Sequence, residues 1–146
     1  MPPPVLFGLA LAMGYIVAKF IPLSWPAAFL AFSELLGWIL AGGSLAIVAW
    51  SITAFTDAGT PVQPHQSTTA LVTSGPYRYS RNPIYVALIV MTFGMALIAN
   101  LPWIAVFLAP AVVVLNEGII KREEAYLEKL FGEDYIAYKA AVRRYV

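Results

Sequence analysis

Two adjacent glutamates near the end of the chain, Glu123 and Glu124, are the side chains whose positions most suggest chemistry. They lie between Asn116 and Phe131, where apolar residues recur with the period of an α-helix. On that helix Glu123 falls near the centre of the apolar stripe and Glu124 falls at its border. Because an ionised carboxylate among apolar side chains is costly unless it is paired, the pattern predicts a cationic ligand or an ion-pair partner for Glu123. The alternative is a solvated face of a charged helix.

A second polar segment precedes the third apolar stretch of the chain. Arg78 and Arg81 lead into Asn82-Pro83, which is typical of a helix start, with asparagine as the N-cap and proline in the first turn. This segment closes a loop, residues 56–82, and loops of such length are usually functional or disordered. Taken alone, Asn82-Pro83 indicates only a helix cap, but its occurrence together with the glutamates favours a functional site.

The missing residue types exclude several kinds of chemistry. With no cysteine in the sequence, thiolate metal sites, disulfides and cysteine nucleophiles are excluded. His65 is the single histidine, so no zinc cluster can be assembled and no metal is expected. We assign no role to His65 beyond a position in the loop.

The overall composition is that of a membrane protein. Hydrophobic residues make up 60% of the chain and charged residues 12%, against about 45–50% and 25% in soluble domains. Crossing a bilayer takes about 20 mostly apolar residues per helix. Four segments approach that length, about Val5–Leu23, Leu35–Phe55, Ile84–Ala99 and Trp103–Asn116. The third and fourth are short and should form a helical hairpin.

The charge distribution predicts the topology. Eight of the nine lysines and arginines fall from Arg78 onward, and positive charge stays in the cytoplasm, which places loop 56–82 and tail 117–146 there. No basic residue precedes the first apolar segment, so we expect it to be retained. The net charge of +1 gives no indication of a nucleic-acid partner. The predicted fold is therefore all-α: a single domain, 1–146, with about four transmembrane helices and cytoplasmic C-terminal amphipathic helices, in the inner membrane.

Two motifs in this order resemble a known family. Residues Gly75 to Tyr85 read G-P-Y-R-Y-S-R-N-P-I-Y, similar to the G-x-Y-x-x-x-R-H-P-x-Y signature of the isoprenylcysteine carboxyl methyltransferase and phospholipid methyltransferase family. That family's second signature, E-E-x-x-L followed by F-G-x-x-Y-x-x-Y, resembles Glu123-Glu124-Ala125-Tyr126-Leu127, Phe131-Gly132, Tyr135 and Tyr138. The resemblance covers about Thr60 to Arg144, while the first two helices match only in hydropathy.

The resemblance implies an S-adenosylmethionine-dependent membrane enzyme, with both signatures closing around the cofactor on the cytoplasmic side. That cofactor carries a sulfonium, an ammonium and a carboxylate. The glutamates can supply the acidic group that such a ligand needs, and Arg78 or Arg81 can supply a cation. The free N–H groups at the start of the helix can bind an anion. A mid-helix glycine, Gly94, is a candidate for close approach of the adenosine. The expected cofactor-binding residues are Tyr77, Arg78, Arg81, Asn82, Pro83, Tyr85, Gly94, Glu123 and Glu124. Tyr77 and Tyr85 could equally be interfacial residues.

Asn82 departs from the family pattern, which commonly has histidine at this position. Asparagine keeps a donor and an acceptor but does not titrate near neutral pH. We therefore expect Asn82 to orient the cofactor and not to act as a general base.

The scarcity of titratable groups in the sequence indicates which kind of group accepts the methyl group. A carboxylate is already deprotonated at pH 7, whereas an amine must first lose a proton. We therefore expect methyl transfer to a lipid-like or prenylcysteine-like carboxylate, whose tail enters from the bilayer among membrane lipids. Arg143 or Arg144 would orient that carboxylate through paired hydrogen bonds, unless they hold the tail at anionic headgroups. The alternatives are N-methylation of a phospholipid amine and a non-enzymatic membrane subunit.

Overall fold

The computed structural model describes residues 2–60 and 70–146, so His65 lies outside the described residues. Within these ranges the chain is helical and contains no strand. Proline stands in the first turn of α1, α3 and α4, where its missing N–H costs no hydrogen bond. The helices are α1 (Pro3–Phe20), α2 (Ala27–Asp57), α3 (Pro83–Ile98), α4 (Pro102–Val114), α5 (Lys121–Phe131) and α6 (Glu133–Ala141).

Three helical stretches of the described residues are long and apolar enough to cross a membrane: α1, α2 and the continuous run Pro102–Phe131. Helix α3, with 16 residues, is shorter but also apolar. A helical membrane bundle, as predicted, is confirmed. The run Pro102–Phe131 changes character along its length, because α5 carries six charged residues. We therefore take α4 as its spanning part and α5 as lying outside the hydrocarbon.

The α3–α4 hairpin agrees with the prediction, and α2 is longer than predicted. Asn100 turns the chain with a φ of 53°, and the Leu101 N–H donates to the Ala96 carbonyl at 2.9 Å. The indole N–H of Trp25 donates to the same carbonyl, and its backbone N–H donates to the Asn100 side chain. These bonds fix the chain just before α2, which begins at Ala27 and not at Leu35.

Small residues allow α2 and α3 to approach each other closely. The buried positions on α2 are Ser33, Gly37, Ser44, Ser51 and Ala54. A Cβ added to Gly37 would lie 2.7 Å from the carbonyl oxygen of Gly94 on α3. This is the packing expected in a membrane, where small side chains let helix backbones come together.

The variant Gly37→Ala tests this contact. We expect a loss of about 1–3 kcal/mol in the free energy of unfolding, because the added methyl group meets backbone that cannot move aside cheaply. Gly42→Ala is the matched control, since a Cβ there meets nothing within 4 Å. Unfolding of both variants in detergent micelles measures the difference. Equal stability of the two would contradict the close approach.

A π-helical segment, Leu115–Ile120, joins α4 to α5 without interrupting the helix. A π-turn contains more residues than an α-turn, so it shifts the faces of the helix that follows. Ile120 is fully buried and Glu124 is 6% exposed, whereas Glu123 is only half-buried. Glu124, predicted at the border of the apolar stripe, is therefore the more deeply buried of the two glutamates, and the predicted placement of Glu123 at the centre is wrong.

Candidate functional site

A cavity of about 230 Å³ lies where the ends of α1, α2 and α3 meet α5, α6 and the connection before α3. One part of its lining is apolar and comes from Pro3, Pro4, Phe55, Ala70, Leu71, Val72, Ile84, Leu88 and Leu127. The other part is polar and comes from Tyr77, Arg81, Asn82, Tyr85, Glu123, Glu124, Tyr135 and Tyr138. Both sequence signatures thus contribute to one space.

Glu124 is held by two arginines. Its Oε1 lies 3.0 Å from Arg81 Nη1, and its Oε2 lies 2.7 Å from Arg144 Nη2. The Arg144 Nε also donates to Oε1 at 3.0 Å, so this arginine engages both carboxylate oxygens. The side chains of Glu124 and Arg81 are 8% and 9% exposed. A carboxylate this deeply buried requires such pairing.

Glu123 faces the cavity with a different partner. It accepts a hydrogen bond from the Tyr85 hydroxyl at 2.8 Å. Burial raises the pKa of the Glu123 carboxyl, the Tyr85 bond opposes this rise, and the nearby charge of Glu124 adds to it. Unlike Glu124, Glu123 has no arginine partner among the described residues. Its carboxylate is therefore available to a cationic ligand.

Tyrosines from both signatures border the two glutamates. The Tyr138 hydroxyl donates to the Tyr77 carbonyl at 2.7 Å, which ties α6 to the turn before α3. Burial is the main cause that raises the pKa of the Tyr77 hydroxyl, with Glu123 adding to it. Burial likewise raises the pKa of Tyr138. Both hydroxyls therefore remain protonated at neutral pH, and a protonated hydroxyl can donate a hydrogen bond.

Arg81 combines burial with unused hydrogen-bonding capacity. Its Nε and Nη1 are buried and have no hydrogen-bond partner in the part of the chain that the structure describes, although Nη1 lies 3.0 Å from Glu124 Oε1 as an ion pair. Because a buried N–H without a partner is costly, the Nε donor is suited to an anionic group of a ligand. The cavity thus offers a cation, Arg81, and an acid, Glu123, beside aromatic rings that favour positive charge.

Most of the predicted cofactor-binding residues come together, and three do not. Arg78 is exposed and does not line the cavity. Pro83 is buried in the first turn of α3 but is also absent from the lining. Gly94 faces α2, where an added Cβ would lie 2.9 Å from the Gly37 carbonyl oxygen. Its lack of a side chain serves helix packing, and Gly94 is not among the residues that line the cavity. Tyr77, Arg81, Asn82, Tyr85, Glu123 and Glu124 all line the cavity.

Asn82 occupies the N-cap position of α3 but makes no side-chain capping bond. Its amide donates instead to the carbonyl of Arg144 at 3.1 Å. The predicted N-cap position of Asn82 is therefore confirmed, but its side chain does not cap the helix. The asparagine connects the first signature to the C-terminal residues.

The two arginines expected to orient the acceptor lie outside the lining. Arg143 has an exposed side chain, and Arg144 is engaged with Glu124 and with the Asn116 oxygen at 3.1 Å. Neither lines the cavity. A direct contact of either with an acceptor in this cavity is not supported.

Sequence reasoning missed several contributors to the cavity. Tyr135 and Tyr138 belong to the second signature, so a signal for them existed. By contrast, the first turn of α1, at Pro3 and Pro4, and the last turns of α2, at Phe55, carry no motif. Their apolar composition could not reveal which end of each helix meets the site.

Comparison with known proteins gives a family match and a related sequence. The phospholipid methyltransferase family matches residues 32–134, more than half of the chain, including the whole first signature and the Glu123-Glu124 pair. An uncharacterized protein of Haemophilus influenzae (strain ATCC 51907 / DSM 11121 / KW20 / Rd) is 39% identical over 59 residues, which is 40% of this chain and 90% of that protein. No solved structure gives a significant match.

Proposed function

We propose a specific reaction for this chain, which belongs to the phospholipid methyltransferase family and is therefore a membrane methyltransferase. The reaction is S-adenosylmethionine-dependent methyl transfer to a carboxylate of a lipid-like or prenylcysteine-like molecule. The observation that carries the proposal is the meeting of both signatures around one cavity, where Glu123 and Arg81 present opposite charges. We also propose that this cavity opens on the cytoplasmic side of the inner membrane, since most basic residues lie on the segments around it.

The residues fit the cofactor. When bound, S-adenosylmethionine supplies a methyl group activated by a positively charged sulfur. Arg81, with its unused Nε, and the N–H groups that begin α3 would hold the carboxylate. Glu123 would hold the ammonium, and tyrosine rings favour the sulfonium. The apolar part of the lining suits adenine.

Water exclusion and alignment are the main demands of such a displacement, and residues of this chain would serve both. Pro3, Pro4 and Phe55 line the cavity with apolar surface, which disfavours water. The ion pairs of Glu124 fix α5 against Arg81. A carboxylate acceptor needs no base, so no residue has to take a proton. Arg143 and Arg144 lie outside the lining, and Arg81 is the cation proposed for the carboxylate of the cofactor, so the described lining offers no separate cation for the acceptor.

Glu123 favours a second candidate, N-methylation of a phospholipid amine. An amine is protonated at pH 7 and must lose that proton before it attacks. Glu123 lines the cavity, and burial raises the pKa of its carboxyl above the ordinary value, a change that makes the carboxylate a better proton acceptor. This candidate differs from the first in the acceptor atom and in the need for a base.

The test uses the purified full-length protein in lipid nanodiscs. Calorimetric titration should detect binding of S-adenosylmethionine, and the absence of binding would overturn the proposal in favour of a non-enzymatic subunit. Incubation with cofactor labelled in the methyl group, and with a prenylcysteine or a phosphatidylethanolamine, then identifies the acceptor. A methyl ester releases its label in alkali, whereas an N-methyl group retains it. We expect alkali-labile product, and alkali-stable product would favour the amine.

A further inference from the structure

The last residues of the chain, Val142–Val146, follow α6 outside any helix and are called the C-terminal strap here. The strap lies against the segment that carries Arg81. The backbone N–H of Arg81 donates to the backbone carbonyl of Arg143 at 3.0 Å. The Ser80 hydroxyl donates to the next carbonyl, that of Arg144, at 3.2 Å. Together with the Asn82 amide, these bonds attach the strap at two successive carbonyls.

The side chains of the strap reach two further elements. The guanidinium of Arg144 bonds both oxygens of Glu124 on α5, and its Nη1 donates to Asn116 Oδ1 at 3.1 Å. The Tyr145 hydroxyl donates to the same Asn116 oxygen at 3.0 Å. Asn116 belongs to the π-helical segment. The strap thus joins the first signature, the π-helical segment and α5 behind the cavity.

We infer that Arg144 is a positioning residue of the methyl-transfer site, a role that rests on the proposed function. The planar fork of Arg144 satisfies both oxygens of Glu124. Arg81 then makes a single contact to Glu124, at 3.0 Å from Nη1 to Oε1, and keeps its Nε without a partner. Arg144 therefore neutralises most of the charge of Glu124, and Arg81 remains available to bind an anionic group of the ligand.

Loss of Arg144 changes this division of charge. Glu124 would remain buried with Arg81 as its single cation, and the attraction between them would draw Arg81 into a two-point pair. The cavity would lose the donor that faces an anionic ligand. A guanidinium outside the cavity lining thus controls the charge inside it.

The test compares steady-state kinetics of Arg144→Gln with those of the wild type in nanodiscs. We expect the KM for S-adenosylmethionine to rise about 10-fold or more, with kcat at saturating cofactor retained. Arg144→Lys restores the charge without the fork, so its KM should lie between the two. A purely structural role would lower the active fraction, and hence kcat, while leaving KM unchanged.

Two further variants complete the test. Ser80→Ala weakens the strap at a residue outside the cavity lining, and we expect its KM to rise about 2- to 10-fold. Lys139→Gln is the control and should keep the wild-type KM, because Lys139 pairs with Glu128 at the surface. A wild type that does not bind cofactor refutes the proposed function. If the wild type is functional and Arg144→Gln has an unchanged KM, the positioning role alone is overturned. If Arg144→Gln does not fold, an unchanged KM in Ser80→Ala overturns the positioning role.

Discussion

The substitution Glu124→Gln is expected to lower the free energy of unfolding by about 3–5 kcal/mol, because it leaves buried arginine charge without its partner. Glutamine keeps the shape of the side chain, so the loss reports charge and not packing. The effect is largest at Arg81, whose charge would be left buried without a partner, because its side chain is 9% exposed and Glu124 is its ion-pair partner. Arg144 is 30% exposed and can turn toward water. Chemical unfolding in detergent micelles, followed by circular dichroism, measures the change.

Glu128→Gln is the matched control on the same helix. Glu128 pairs with Lys139 at 3.2 Å, and both side chains are more than 40% exposed. An exposed pair of this kind contributes at most about 1 kcal/mol. If Glu124→Gln and Glu128→Gln unfold at the same denaturant concentration, the two-arginine pairing of Glu124 does not stabilise the fold.

The structure reverses the order of burial that the sequence predicts for Glu123 and Glu124. A helical projection at a constant angle places Glu123 in the apolar stripe and Glu124 at its border. The π-helical segment Leu115–Ile120 breaks that constant angle just before α5. Local irregularity of this kind depends on packing against other helices, so periodicity alone could not predict it. The family resemblance assigned both glutamates to the site without reference to their phase, whereas the argument for a charged partner of Glu123 depended on the phase.

The membrane-spanning helices were predictable because their signal is local. Apolar composition marks where hydrocarbon surrounds the chain, and proline marks the starts of α3 and α4 within one residue. Composition gives no comparable mark for the start of α2. Trp25 fixes that start through bonds to Asn100 and Ala96, which lie far away in sequence.

The C-terminal strap could not be predicted for a related reason. The contacts of Ser80, Arg81 and Asn82 with it are made to backbone carbonyls, and every residue type offers a carbonyl. The arginine pair did indicate a role for Arg143 and Arg144 near the site. Which of the two turns toward Glu124 depends on how the chain leaves α6. The sequence therefore identified the candidate charges, and the structure was needed to pair them.

Glu123→Gln is expected to weaken S-adenosylmethionine binding about 10- to 150-fold, since a hydrogen bond to a charged group contributes about 1.5–3 kcal/mol. This expectation rests on the carboxylate's place in the cavity lining, where the described residues give it a tyrosine partner and no arginine partner. Calorimetric titration of Glu123→Gln against Glu128→Gln measures it. Glu128 does not line the cavity and should leave the affinity unchanged. Wild-type affinity in Glu123→Gln would remove Glu123 from the site.

The pH dependence of binding provides an independent check on Glu123. A proton and a ligand cation compete for the same carboxylate, and burial raises the pKa of Glu123 above its ordinary value. Affinity for S-adenosylmethionine should therefore fall as the pH is lowered through that raised pKa, earlier than an exposed carboxyl would allow. Glutamine does not titrate, so Glu123→Gln should bind weakly with little dependence on pH over the same range. An identical decline in both proteins would assign the titration to another group and contradict a cation-binding role for Glu123.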